Sequence, residues 1–269
     1  MIGPAQRTAL VAMVVVFALP WSAAGALAVA ASPAVGASLP AIFHTNASST
    51  NWAGYAVSTT SGQVSSVNAS WVEPTIVSCP TRAQYAAFWV GIDGYTSSSV
   101  EQTGTDSDCS HGHAVYYAWY EFYPSPSHRI STLTISPGDT IFASVTYNTT
   151  TAKFTTVLSD TTTGHSFSTS AAVRTAARSS AEWIAEAPSS LSGVLPLADF
   201  GTVEFGQDYT SLAATGSATI GGTTGLMASF TGLVSISMIN HTGRVTKAVT
   251  SAPSTDLSSF TVTWKAAGP

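Results

Sequence analysis

An antiparallel β-sandwich is the fold class this sequence predicts, and three observations predict it. From Asn51 onward, short runs alternate apolar and polar residues. Gly, Pro, Asn and Asp punctuate those runs at short intervals. Beta-branched residues abound, while good helix formers cluster only at 169–183, "TSAAVRTAARSSAEW". A period of two sends successive side chains to opposite faces of a half-buried strand, and many such strands separated by turns make a sandwich.

The elements follow in order. Arg7 precedes a long apolar run with Ala28 and Ala30 in an A-x-A arrangement, the layout of a secretory signal over residues 1–30. An uncleaved anchor helix is the rival reading, and Pro20 interrupts it. No later stretch is long and apolar enough to span a bilayer, so an exported, extracellular protein with no membrane contact after signal cleavage is expected. Residues 31–50, small, polar and Pro-containing, read as a linker or short pro-segment, leaving 51–269 as one domain.

Within that domain, parity assigns faces. In "FWVGIDGY" Trp89, Gly91 and Asp93 share one face, while Phe88, Val90 and Ile92 form an apolar one. In "SSVEQTGTDSDC" Glu101 and Gln102 must point to opposite sides, ahead of a Thr-Gly pair that reads as a turn. In "YYAWYEFYP" Tyr117, Trp119, Glu121 and Tyr123 share a face. In "TIFASVTYN" Ile141, Ala143, Val145 and Tyr147 lie together. In "AEWIAEAP" Glu182 and Glu186 flank Ile184 on one side, with Trp183 and Ala185 on the other. A solvated sheet face would account for the acids, but such faces seldom collect Trp89, Trp119 and Tyr123, which favours a groove.

The chain has 269 residues, 45% hydrophobic and only 9% charged, enough apolar material for a sizeable core. Net charge is −5 and the nine basic residues form no run, which excludes nucleic acid as an expected partner. A Ser/Thr-rich surface changes charge little as pH falls and so tolerates acid. Cys79 and Cys109 are the only cysteines, and in an oxidising compartment they read as a disulfide, with two free buried thiols as the rival. Closing a loop of about thirty residues would contribute roughly 3 kcal/mol.

At "NWAGYAV", "WVGIDG", "EQTG", "YAWYEFYP", "EWIAE" and "FGTVEF" the chain resembles the glutamic peptidase (eqolisin) family of secreted acid endopeptidases. Each stretch alone is a weak signal; together, in family order from Asn51 to the C-terminus, they are specific. The resemblance implies a sandwich of two antiparallel sheets of concanavalin A-like or jelly-roll type, one bent to hold the substrate groove. It implies a catalytic pair, Gln102 and Glu186, with Glu182 as the rival acid on the same face. It further implies that Trp52, Trp89, Asp93, Asp106, Glu121 and Tyr123 bind substrate or back the site. Protein or peptide substrates, a monomer and no cofactor or metal are expected. The chemistry is coherent: a carboxylate takes a proton from water and returns it to the leaving nitrogen. A neutral amide accepts from that water and donates to the oxyanion. One departure stands out, since fungal members tend to carry aspartate where Tyr117 stands, and their cysteine pattern also differs.

Two other classes compete. "DSDCSHGH" supplies Asp106, Asp108, His111 and His113, residue types that ligate zinc or calcium, though the spacing matches no established site. An aromatic groove with paired carboxylates also suits glycan binding or glycoside hydrolysis. No G-x-S-x-G element or phosphate-binding glycine loop occurs.

Overall fold

The computed structural model describes residues 45–191 and 193–268. The expected signal, and residues 31–44 of the expected linker, lie outside the described residues. Among the described residues nineteen strands follow one another, beginning with β1 (Thr45–Ser49), β2 (Trp52–Ser58), β3 (Val64–Val72), β4 (Ala87–Ile92), β5 (Val100–Ser110) and β6 (His113–Tyr123). Next come β7 (His128–Ile130), β8 (Thr140–Asn148), β9 (Lys153–Asp160), β10 (His165–Ala171), β11 (Ser180–Glu186), β12 (Ser189–Ser190) and β13 (Gly193–Val194). The last are β14 (Thr202–Phe205), β15 (Ser217–Ile220), β16 (Thr223–Leu226), β17 (Leu233–Ile239), β18 (Thr246–Thr250) and β19 (Phe260–Trp264). A single-turn helix, α1 (Gln207–Thr210), follows β14.

The strands form two layers. One runs β1-β17-β2-β11-β4-β5-β6-β7. The other is built around β10-β9-β8-β3, with β14 and β15 both pairing to β3. Pairing of β17 with β18 joins the layers along one edge. Between them lies the main core, including Tyr55, Trp71, Phe88, Phe154, Trp183, Phe200, Phe205 and Phe260. Ile141, Ala143 and Val145 point into it from β8 while Thr146 is exposed, as the alternation requires.

Three expectations change. Residues 45–49, placed in a linker, form β1 and pair in parallel with β17 from Thr45↔Val234 to Ser49↔Met238. Their polar composition hides the strand because the edge position leaves most side chains in solvent. The helix-forming cluster at 169–183 makes no helix: its ends join β10 and β11, and sheet pairing overrides local propensity. The Thr-Gly pair is not a turn, since Gly104 lies in the middle of the eleven-residue β5. A Cβ on Gly104 would sit 2.1 Å from the Phe88 carbonyl oxygen and 2.6 Å from Trp89 Cβ, so only glycine lets β4 pack there.

Cys79 and Cys109 are joined in a disulfide with a Cα–Cα distance of 5.3 Å. It ties the segment before β4 to the end of β5, the strand that carries Gln102 and Asp106.

Candidate active site

Register brings distant residues into rows on the outer face of the first layer. One row runs Glu182, Gly91, Gln102, Glu121; the next runs Ile184, Trp89, Gly104, Trp119; the third runs Trp52, Glu186, Ala87, Asp106, Tyr117. Ala87, Trp89, Trp119 and Ile184 pack together as an apolar floor on this face, separate from the main core. Trp52 stands edge-on to Trp89, with centroids 5.0 Å apart. Above the floor opens a cleft of about 540 Å³ whose walls include Asn51, Trp52, Gln102, Asp106, Glu121, Tyr123 and Glu186.

Glu186 ends β11 at the cleft, and both of its carboxylate oxygens accept hydrogen bonds. Trp89 Nε1 donates to Oε2 at 2.8 Å, and Asn51 Nδ2 donates to Oε1 at 3.1 Å. Burial pushes the carboxyl up to about 7, against the lowering effect of these donors, and the charge of Glu121 adds to the rise. Gln102 lies on β5 with Nε2 donating to Glu121 Oε2 at 2.5 Å. Its Oε1 is buried without a hydrogen-bond partner among the described residues, as are Asp106 Oδ1 and Trp119 Nε1. Burial raises Glu121, and the Gln102 amide partly offsets that. Asp106 is also raised, first by burial and then by the charge of Asp108. Several carboxyls thus crowd one cleft, and burial together with mutual repulsion keeps them protonated above their usual range.

The remaining site candidates divide. Trp52, Asp106, Glu121 and Tyr123 line the cleft, and Tyr123 is 47% exposed at its rim. Trp89 is fully buried beneath it and reaches the cleft only through its bond to Glu186. Asp93 is not on the cleft. Its carboxylate accepts from the backbone N–H groups of Arg178 at 2.6 Å and Ser179 at 2.9 Å, and it is completely buried. Asp93 has φ 72°, so the strand has already ended there and counting by twos from Trp89 no longer applies. Glu182 shares a face with Glu186 yet is fully buried and absent from the cleft wall. Glu101 points the other way from Gln102, as parity requires, and is fully buried.

Tyr117, the departure from the fungal pattern, donates its hydroxyl to Asp108 Oδ2 at 3.1 Å, and the Arg129 guanidinium lies 4.6 Å over its ring. Asp106, Asp108, His111 and His113 do not converge. Ser110 pairs with His113 across a turn made by His111 and Gly112, and His113 is exposed. Among the described residues no group of three or more His, Cys, Asp or Glu is arranged to hold a metal ion.

Sequence reasoning missed two residues. Asn51 touches Glu186 directly; it opened the "NWAGYAV" stretch, but only its tryptophan drew attention. Glu73 is buried in the main core, accepting from Thr105 Oγ1 at 2.6 Å, Ser107 Oγ at 2.6 Å and Trp71 Nε1 at 3.3 Å. Its signal was the run of Thr103, Thr105 and Ser107 on the inward face of β5, polar where an apolar run is the rule.

The model of the peptidase A4 family matches residues 50–264. Aspergillopepsin-2 of Aspergillus niger is 37% identical over 141 residues, which is 51% of this chain and 48% of that protein. The chain therefore spans about half the length of that curated relative. Among solved structures, scytalido-glutamic peptidase with a peptide-based transition state analog superposes with a TM-score of 0.64 at 26% identity, covering 80% of this chain and 98% of that one. Aspergilloglutamic peptidase from Aspergillus niger gives 0.53 at 30% identity, covering 68% and 99%.

Proposed function

Because the chain belongs to the peptidase A4 family, we propose that it is a secreted endopeptidase in which Gln102 and Glu186 activate a water against a peptide bond, without a covalent intermediate or a metal. The observation that carries this reading is the pairing of an amide and a carboxyl on one cleft. Of the two acids on β11, Glu186 lines the cleft, whereas Glu182 is sealed away. In this mechanism Glu186 accepts the water's proton as the oxygen attacks the carbonyl carbon, then delivers it to the leaving nitrogen. Gln102 Oε1, free of other partners, accepts from the same water. One Nε2 hydrogen is committed to Glu121 and the second donates to the oxyanion. The unpartnered Trp119 Nε1, Gln102 Oε1 and Asp106 Oδ1 offer a mixed set of donor and acceptors, as an extended peptide backbone requires.

A glycoside-hydrolysing reading has one observation in its favour: Glu121 shares the cleft with Glu186, so two carboxyls are present there. Against it, Glu121 is bonded to the amide of Gln102. Incubating the purified protein with denatured casein and with soluble polysaccharides across a pH series separates the two. Peptide release without sugar release is expected; the reverse would overturn the proposal.

The same series tests the protonation state. A base acts only when ionised, and kcat/KM reports the groups of the free protein. With Glu186 pushed up to about 7, kcat/KM should climb roughly tenfold per pH unit through the acid range and level off near neutrality. That lies above the acid range implied by the resemblance. A profile that instead falls on approach to neutrality would mean that Glu186 enters the reaction protonated and acts first as the acid.

A further inference from the structure

We infer that Asn51 is a positioning residue for Glu186, and that Ser49, the last residue of β1, fixes which end of the Asn51 amide faces that carboxylate. The inference rests on the proposed role of Glu186 and adds two residues to it.

The hydrogen bonds themselves decide the orientation. A serine hydroxyl has one proton to give and two lone pairs to receive. Ser49 Oγ receives the backbone N–H of Asn51 at 3.3 Å and that of Trp52 at 3.1 Å. Its acceptor capacity is then used, and its single proton goes to Asn51 Oδ1 at 3.0 Å. The amide oxygen is thereby held, and the NH2 end points at Glu186 Oε1, 3.1 Å away. Turning the amide over would set NH2 against a hydroxyl with no free lone pair, and an oxygen against a carboxylate. Both contacts would be lost. The main chain reinforces the link, since Ala187 N–H donates to Asn51 C=O at 2.8 Å and so pins the residue immediately after Glu186.

The donor matters because the other charged groups around Glu186 are acidic. Glu121 faces it from β6 and Asp106 from β5. Trp89 holds Oε2 and Asn51 holds Oε1, with Trp52 beside them. Each donor favours the ionised carboxylate over the neutral acid. Ser49 is carried by β1, which is in turn held by five residues of parallel pairing with β17. Residues 45–49 therefore belong to the machinery that orients a reacting group, although their composition reads as a linker.

The test is a carbon-13 NMR titration of glutamate-labelled protein, with the Glu186 carboxyl signal assigned by its loss in Glu186→Gln. Asn51→Ala removes a donor to the ionised form, so the Glu186 midpoint should rise by about one pH unit. Ser49→Ala frees the amide without deleting it and should raise the midpoint by less. Ser49→Thr keeps the hydroxyl and should restore the parent value. Circular dichroism establishes that each variant is folded, and Ser49→Ala carries the test if Asn51→Ala is not. An unchanged midpoint in folded Asn51→Ala overturns the positioning role; an unchanged midpoint in Ser49→Ala overturns the orientation lock. The titration requires no turnover. A parent protein that cleaves no peptide would defeat the proposed function while leaving this measurement decisive.

Discussion

Glu186→Gln is expected to lower kcat for peptide cleavage by roughly 10³–10⁴-fold while leaving the fold and KM nearly unchanged. The glutamine keeps the shape of the side chain, and its single oxygen can still accept from Trp89 Nε1 while its NH2 replaces the oxygen that faced Asn51 Nδ2, so one of the two hydrogen bonds is lost but the cleft should persist. What it lacks is a lone pair basic enough to take a proton from water, and the acid that would return it. Gln102→Ala should cost less, about 10²–10³-fold, because it removes one preorganised oxyanion donor and the water's acceptor but leaves the proton shuttle in place. It also removes the side-chain amide that donates to Glu121, so the pH profile of that variant should move as well as its rate. Steady-state kinetics on a defined peptide, with folding checked by circular dichroism, reads both effects. Near-full activity in Glu186→Gln would remove the dyad assignment, and the buried Glu182 could not replace it, since its carboxyl does not reach the cleft.

The second large effect concerns stability. Asp108 is pushed up to about 6, Glu73 and Glu186 to about 7, and Glu101 to about 9, in each case chiefly by burial. Glu101 is raised further by the charge of Asp93, and Glu182 by Asp93 and Glu101. A carboxyl whose folded value exceeds its unfolded value binds its proton more tightly in the folded state. The stabilisation is fully present below the unfolded value of 4.5 for a glutamate, and it is lost as pH rises through the folded value. Each unit of separation is worth about 1.4 kcal/mol, and several buried groups act in the same direction. Asp256 is the exception: hydrogen bonds from Ser258 and Ser259 outweigh its burial and lower it, so its contribution is lost only in strong acid. Lys247, lowered by burial to about 8, is relieved only at alkaline pH.

Denaturant midpoints measured at constant ionic strength should therefore decline from pH 4.5 to pH 9, with the steepest loss in mildly acid solution, between the unfolded value of 4.5 and the folded values of about 6 and 7, and a shallower loss beyond them. Glu101→Gln, a neutral isostere of the protonated acid, should flatten the part of that decline between pH 7 and pH 9. A midpoint that holds or rises from acid to neutral pH would contradict the account. The sparse surface charge points the same way, since a chain with only 9% charged residues gains little self-repulsion in acid. Both effects, one at the surface and one in the interior, predict that the fold tolerates acid.

Much of this was open to reading in one dimension. Alternation alone placed Ile141, Ala143 and Val145 in the core, separated Glu101 from Gln102, and put Trp89 with Gly91 and Glu121 with Tyr123. These are local consequences of backbone geometry, and a strand enforces them wherever it runs straight. The rule failed at Asp93, where a positive φ ended the strand, and at Gly104, where a residue typical of turns was required by the close approach of β4. It failed again at Thr45–Ser49, whose polar side chains carry no period because pairing with β17 is made by the backbone.

The sequence by itself determined the class of fold and, except at Asp93, the face to which each acid points, while the resemblance it carries singled out the residues fit for amide–carboxyl chemistry. Parity left two acids equivalent and only the resemblance favoured Glu186; tertiary structure supplied the physical difference between them. Glu182 and Glu186 have the same parity and similar neighbours, yet one is sealed and the other opens on a cleft. It also decided that Asn51, 135 positions away in the chain, holds the available one. Burial and long-range hydrogen bonding depend on which strands lie side by side, and register across a sheet is a property of the folded chain as a whole.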